Sequence, residues 1–94
     1  MSRRFADRRT ERFANGDRVP AFAAVERKAE RRLQFLLAAR SRRDLMVMPG
    51  WRLEPLRGDR QGQWSIRIND QWRVCFVWDD ALSQAFEIEI VDYH

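Results

Sequence analysis

A chain of 94 residues, 45% hydrophobic and 34% charged, is long enough for one small domain over residues 1–94 and too apolar for a disordered one. One cysteine, Cys75, and one histidine, His94, exclude a disulfide framework, a cysteine-based metal site and multi-histidine metal chemistry. The formal net charge of +4 is unevenly spread: residues 1–45 carry 13 Arg and Lys against 6 Asp and Glu, whereas residues 46–94 carry 5 against 8.

Of the 18 basic residues all but Lys28 are arginine. Arginine binds phosphate bidentately and stacks on bases, so the balance suits a polyanionic partner, although solvated helix faces give the same composition. No run of 18 apolar residues is present, so no membrane span is expected. The basic start, Met1 to Phe5, lacks the apolar core of a leader peptide, and a cytoplasmic, reducing setting is expected.

In chain order, residues 3–6 suit a short edge strand. Residues 7–14 suit a short helix with Asp7 near its start and Asn15-Gly16 at its end. Pro20 opens a second helix at its first turn. Between residues 21 and 40, Phe22, Val25, Ala29, Leu33, Leu36 and Leu37 recur at three- and four-residue steps, which predicts an amphipathic helix of about five turns. Ser41 to Met48 is a connector with one helical turn, and Pro49-Gly50 is a turn.

The period then changes from helical to alternating. Trp64–Ile68, Trp72–Trp78 and Phe86–Ile90 each alternate apolar with polar, which predicts three strands with one buried face each. Residues 51–56 add a fourth, which Pro55 confines to an edge or an end. Helices first and strands after predict an α+β domain: two N-terminal helices on one face of a twisted antiparallel sheet of about four strands. On this reading Trp64, Trp72 and Trp78 are core rather than base-stacking platforms. Cys75, mid-strand with no histidine near it, is not a catalytic thiol. Asp59, Asp70, Asp79 and Asp80 are surface charge, as Glu54 is by position alone.

The turn at Asn69-Asp70-Gln71 permits a sharper inference. Trp64, Ile66 and Ile68 share a face with Trp72, Val74 and Phe76 only if paired residues have an even sum, and a three-residue loop pairing Ile68 with Trp72 satisfies this. Arg67 then lies directly opposite Arg73, away from the core. Like charges placed so repel. A phosphate bridging the two guanidiniums relieves them; so does solvent, or a carboxylate from another element. The polar loop Gly58–Gly62, which carries Arg60 between two glycines, suits close approach to a backbone or a phosphate, without a P-loop or dinucleotide fingerprint.

Asp92-Tyr93-His94 form the second constellation. His94 is the side chain best suited to proton transfer near neutrality, and Tyr93 can hydrogen-bond or stack on a base; the opposing reading is that terminal residues fray and do nothing.

The segments Leu53-Glu54-Pro55-Leu56-Arg57-Gly58-Asp59-Arg60, Gly62 through Phe76, and Glu89-Ile90-Val91-Asp92-Tyr93-His94 resemble the HigB toxins of the RelE/ParE superfamily. The resemblance implies the toxin of a type II toxin–antitoxin pair: a bacterial endoribonuclease, independent of metal and cofactor, that enters the ribosomal 30S A site and cuts mRNA. It further implies neutralisation by a helix-turn-helix antitoxin, HigA, through which alone operator DNA is reached. By resemblance Arg73, Asp92, Tyr93 and His94 match active-site positions and Arg57 a basic position beside them; Arg67 is added by the pairing argument and Arg60 by its loop. Cleavage without metal requires deprotonation of the 2′-OH, stabilisation of the phosphorane's charge and protonation of the 5′-oxygen. Arg67 and Arg73 would hold the phosphate, His94 would move the proton, Tyr93 would orient the nucleotide or His94, and Asp92 would set the position or pKa of His94. Some HigB toxins carry histidine where Glu54 stands here. Glu54 then serves as the base, or the ribosome supplies more of the catalysis, or activity is low. Two other functions compete: a ParE-like gyrase poison, which needs neither Tyr93 nor His94, and a catalytically weak module that binds RNA or the antitoxin.

Overall fold

The computed structural model describes residues 3–92. Asp7, with an extended backbone, caps α1 (Arg8–Ala14) by accepting the Thr10 N–H at 3.0 Å, which satisfies one of the amides that a helix start leaves without a partner. Asn15 and Gly16 end it, Gly16 at φ +98°, a left-handed conformation that glycine adopts without a Cβ clash. The single long helix expected over residues 21–40 is instead two elements. Pro20–Val25 is a 3₁₀ helix and Glu26–Ala38 is α2, with Val25 at φ −122°, ψ 12° breaking the path between them. Periods of 3.0 and 3.6 residues place the same side chains inward over so short a segment. Phe22, Val25, Ala29, Leu33 and Leu36 are accordingly all buried. A third short helix, α3 (Arg42–Met46), starts at Ser41, whose Oγ accepts the Asp44 N–H at 3.3 Å while the Asp44 carboxylate accepts the Arg40 N–H at 3.1 Å.

Four strands follow: β1 (Glu54–Pro55), β2 (Trp64–Arg67), β3 (Trp72–Asp79) and β4 (Gln84–Asp92). They pair antiparallel in the order β1-β2-β3-β4, with the proline strand at an edge as its missing N–H requires. The β2–β3 register is the one that the alternation demands. Ile66 faces Val74, Arg67 faces Arg73, and the Ile68 N–H donates to the Trp72 carbonyl at 2.9 Å. Asn69 Oδ1 braces the three-residue loop by accepting the Gln71 and Trp72 amides at 2.9 and 2.8 Å. Ile66, Ile68, Trp72, Val74, Phe76, Ile88 and Ile90 form the sheet's contribution to the core and pack against Phe13, Phe22, Ala29, Leu33 and Leu36 of the helical layer. Trp64 and Trp78 are half-buried against that core and Trp51 is buried in it. No helix among the described residues is long and apolar enough to cross a membrane.

β4 departs from simple alternation. The register slips by one between Cys75 and Val77, and Glu87 takes φ +52°. The result is a bulge that moves Phe86 off the core face expected for it; Ala85, paired with Trp78, is fully buried in its place. Phe86 lies half-buried beneath the guanidinium of Arg4, 5.8 Å from its ring. The bulge also receives the N-terminal segment. Arg3 and Arg4 carbonyls accept the Glu87 and Ile88 amides at 2.9 and 3.0 Å, and the Ala6 N–H donates to the Ile88 carbonyl. The edge strand expected at residues 3–6 is thus a single parallel bridge, Phe5 to Ile88.

Farther along the same edge, the fully buried Thr10 accepts the Ile90 N–H at 3.0 Å through Oγ1, so a helix side chain does the work of a missing fifth strand. Thr10→Val keeps the shape and orphans that amide. Its expected cost is about 1–3 kcal/mol, read as a fall in the thermal midpoint, with Thr10→Ser retaining most of the stability. A valine variant as stable as the parent would show that the bond contributes nothing.

Candidate active site

The face of the sheet away from the helices is built by odd-numbered residues of β2, β3 and the second half of β4, with Glu54 of β1 in line with them. Register aligns Glu54, Ser65, Cys75 and Glu89 in one row and Arg67, Arg73 and Val91 in the next. Directly paired residues project to the same side, so this face carries two adjacent arginines with carboxylates at its flanks. Leu56, Cys75 and Val91 form a small apolar floor. The connection from β1 to β2 folds over one side. Gly58 at φ +65° allows the 3₁₀ turn Gly58–Arg60, and the Leu56 N–H closes the loop onto the Gln63 carbonyl at 2.8 Å. Arg60 is thereby aimed inward, with Nη1 donating to Glu89 Oε1 at 3.3 Å and Gln63 Oε1 at 3.1 Å.

Each arginine of the central pair is held. Arg73 Nη1 donates to Oγ of the fully buried Ser65 at 3.2 Å. Arg67 Nη2 donates to Asp70 Oδ1 at the hairpin tip. Behind Arg67, Arg32 of α2 donates through Nε to the Arg67 carbonyl at 2.9 Å and lays its guanidinium over the Trp51 ring, 5.1 Å from the centroid. Burial, and then the charge of Arg67, push the Arg32 pKa below its ordinary value. Positive charge is therefore concentrated at this end of the sheet, and a bridging anion would relieve it. Cys75 is the reverse case. Burial above all pushes its thiol up to about 11, with Arg60 and Arg73 drawing it back and Glu89 adding to the rise, so at neutral pH it is a protonated, buried thiol and not a nucleophile. Among the described residues no three His, Cys, Asp or Glu side chains gather as metal ligands.

Over residues 3–94 the chain matches the HigB-like toxins, described as RelE-like toxins of the type II toxin–antitoxin system HigB. The chain belongs to this family. It is similar to Toxin HigB-1 of Vibrio cholerae serotype O1, 36% identical over 87 residues, which is 88% of this chain and 90% of that toxin. It is also similar to Endoribonuclease HigB of Proteus vulgaris, 39% identical over 44 residues, 47% of this chain and 46% of that protein. Membership makes the chain a type II toxin, for which an antitoxin is the partner.

On this HigB-like fold the expected site residues are only partly gathered. Arg67, Arg73, Arg60 and Glu54 share the open face, Glu54 exposed on the edge strand. Arg57 is exposed at the entry to the 3₁₀ turn beside them. Asp92 pairs with Trp72 and so projects to the helix side, where Oδ2 accepts from Gln71 Nε2 at 3.0 Å. Tyr93 and His94 lie outside the described residues. Three residues that contact the central arginines are not legible as such in the sequence. Ser65 shows only as a small polar residue in a strand. Arg32 shows as one charge on a charged helix. Asp70 shows as loop charge, although its position three residues from Arg67 is the one signal of their pairing.

Proposed function

We propose that this toxin is an endoribonuclease that cuts mRNA on the translating ribosome, with the scissile phosphate seated across Arg67 and Arg73. The observation that carries the reading is the direct cross-strand pairing of those two arginines on the open face. Two adjacent guanidiniums, one anchored to a buried serine, are a preorganised seat for the charge that develops on a phosphorane. Support also comes from the name of the Proteus vulgaris relative, Endoribonuclease HigB.

In the proposed reaction the 2′-OH gives up its proton to His94 as its oxygen attacks phosphorus, and the bond to the 5′-oxygen breaks to leave a 2′,3′-cyclic phosphate. His94 returns the proton to the leaving 5′-oxygen, Tyr93 orients the nucleotide, and Asp92 positions the terminal segment. Arg57 and Arg60 contact flanking phosphates. The cleavage site is the mRNA in the 30S A site, in the cytoplasm. A helix-turn-helix antitoxin of the HigA type is the proposed neutralising partner and the link to operator DNA. Glu54 is at the margin of the face, and Glu54→Ala is expected to weaken cleavage less than Arg73→Ala; an equal or larger loss would make Glu54 the base.

The test is expression without the antitoxin, followed by pulse labelling. Growth arrest with protein synthesis stopped first, abolished by deletion of His94 while the fold persists, is the expected result. Arrest that survives the deletion and is accompanied by gyrase-linked DNA breaks would replace this reading with a gyrase poison.

A further inference from the structure

We propose that Asp70 is a tethered stand-in for the RNA phosphate: its carboxylate occupies the seat at Arg67 until a substrate phosphate displaces it. The proposal rests on the reading of the open face as a phosphate site. Arg67 is hemmed in by positive charge, with Arg73 directly across the strand pair and Arg32 packed behind its carbonyl. The group that answers this charge is the carboxylate of Asp70, three residues on. The Asp70 side chain is 99% exposed, against 31% for Arg67, so the acid enters from solvent and leaves to solvent. An exposed pair of this kind is weak. A phosphodiester that bridges two guanidiniums is the stronger ligand.

The hairpin does not depend on Asp70 for its shape. Asn69 Oδ1 holds the turn through the Gln71 and Trp72 amides, and the Ile68 N–H closes it onto the Trp72 carbonyl. The carboxylate is therefore free to swing without unmaking the loop. Its consequence is a threshold. Every anion must displace a covalently tethered acid, and a phosphate delivered and held against the face does so. Asp70 thus acts through Arg67 as a positioning residue; it takes no part in the bond changes.

The test titrates inorganic phosphate against the nitrogen-labelled protein and follows the Arg67 Nε–H resonance. The parent, Asp70→Asn and Asp80→Asn are compared; Asp80, paired with Arg42 just beyond the far end of β3, makes the same charge change away from the site. Asp70→Asn is expected to tighten phosphate at Arg67 about threefold, in keeping with an exposed pair, and to tighten binding of a short fluorescent single-stranded RNA to a similar degree. Asp80→Asn is expected to change neither, and Arg67→Gln to erase the gain in RNA binding when combined with Asp70→Asn. The proposal is overturned if Asp70→Asn and Asp80→Asn behave alike, if the gain survives Arg67→Gln, or if phosphate leaves the Arg67 resonance unmoved in every variant. A gain in phosphate affinity at Arg67 with no ribosomal cleavage by any variant upholds the stand-in role and refutes the nuclease reading instead.

Discussion

Arg73→Ala is expected to lower mRNA cleavage on ribosomes by about 10²–10³-fold, the usual loss when one preorganised donor to a developing oxyanion is removed. Arg73 lies on the middle of the open face, opposite Arg67 and fixed through Nη1 to the buried Ser65 hydroxyl. A side chain so anchored would meet the phosphorane of the proposed reaction without rearrangement, which is where such a donor contributes most. Arg73→Lys keeps the charge but loses the planar fork, so an intermediate loss is expected. Ser65→Ala removes the anchor and leaves the guanidinium, and should reduce the rate while leaving mRNA affinity nearly unchanged. Thermal melts separate these effects from unfolding. Cleavage by Arg73→Ala within about threefold of the parent, at equal stability, would remove Arg73 from the reaction.

Phe22→Ala has the largest expected effect on stability, about 3–5 kcal/mol. Phe22 is fully buried at the meeting of both layers. Its ring is edge-on to Phe13 at 5.2 Å and to Trp72 at 5.5 Å, and Arg9 lies over it at 5.0 Å. Truncation removes both aromatic contacts and leaves a cavity between helix and sheet. It also strips the ring from beneath Arg9, whose Nη2 donates to the Ile90 carbonyl at 3.4 Å, so the capped edge of β4 weakens too. For a domain of this size each kcal/mol lowers the thermal midpoint by roughly 4–8 °C. The midpoint should therefore fall by well over about 10 °C in urea-free calorimetry. A loss below about 1 kcal/mol would mean that the neighbouring side chains close the gap completely.

The central pair of arginines is legible in the sequence because strand side chains alternate strictly. Apolar residues at even positions on both sides of one short turn leave one workable register, and that register joins Arg67 to Arg73. The same logic fails in β4. Ala85 and Phe86 are both apolar, so neither parity is excluded, and the bulge that selects Ala85 is fixed by the N-terminal segment docking on Glu87 and Ile88. Arg3 and Glu87 meet there across 84 positions of sequence. The break at Val25 is hidden for a related reason: a 3₁₀ and an α turn bury the same residues when the element is short. Arg32 reaches the site by tertiary packing of α2 across 35 residues, which no local pattern encodes. Asp70 is accessible in principle, since a hairpin tip places residue i+3 near residue i, but a loop aspartate between two polar neighbours carries no mark of its direction. Asp92 shows the limit of motif reading. Its match to a site position is a statement about sequence, while its register opposite Trp72 turns it to the helix side.

Primer extension on a defined mRNA, with translating ribosomes and with naked RNA in parallel, tests the central claim most directly. Cuts within codons that require the ribosome, and that fade with Arg73→Ala, are the expected result. A folded protein that arrests growth yet leaves the message intact in both settings would contradict it.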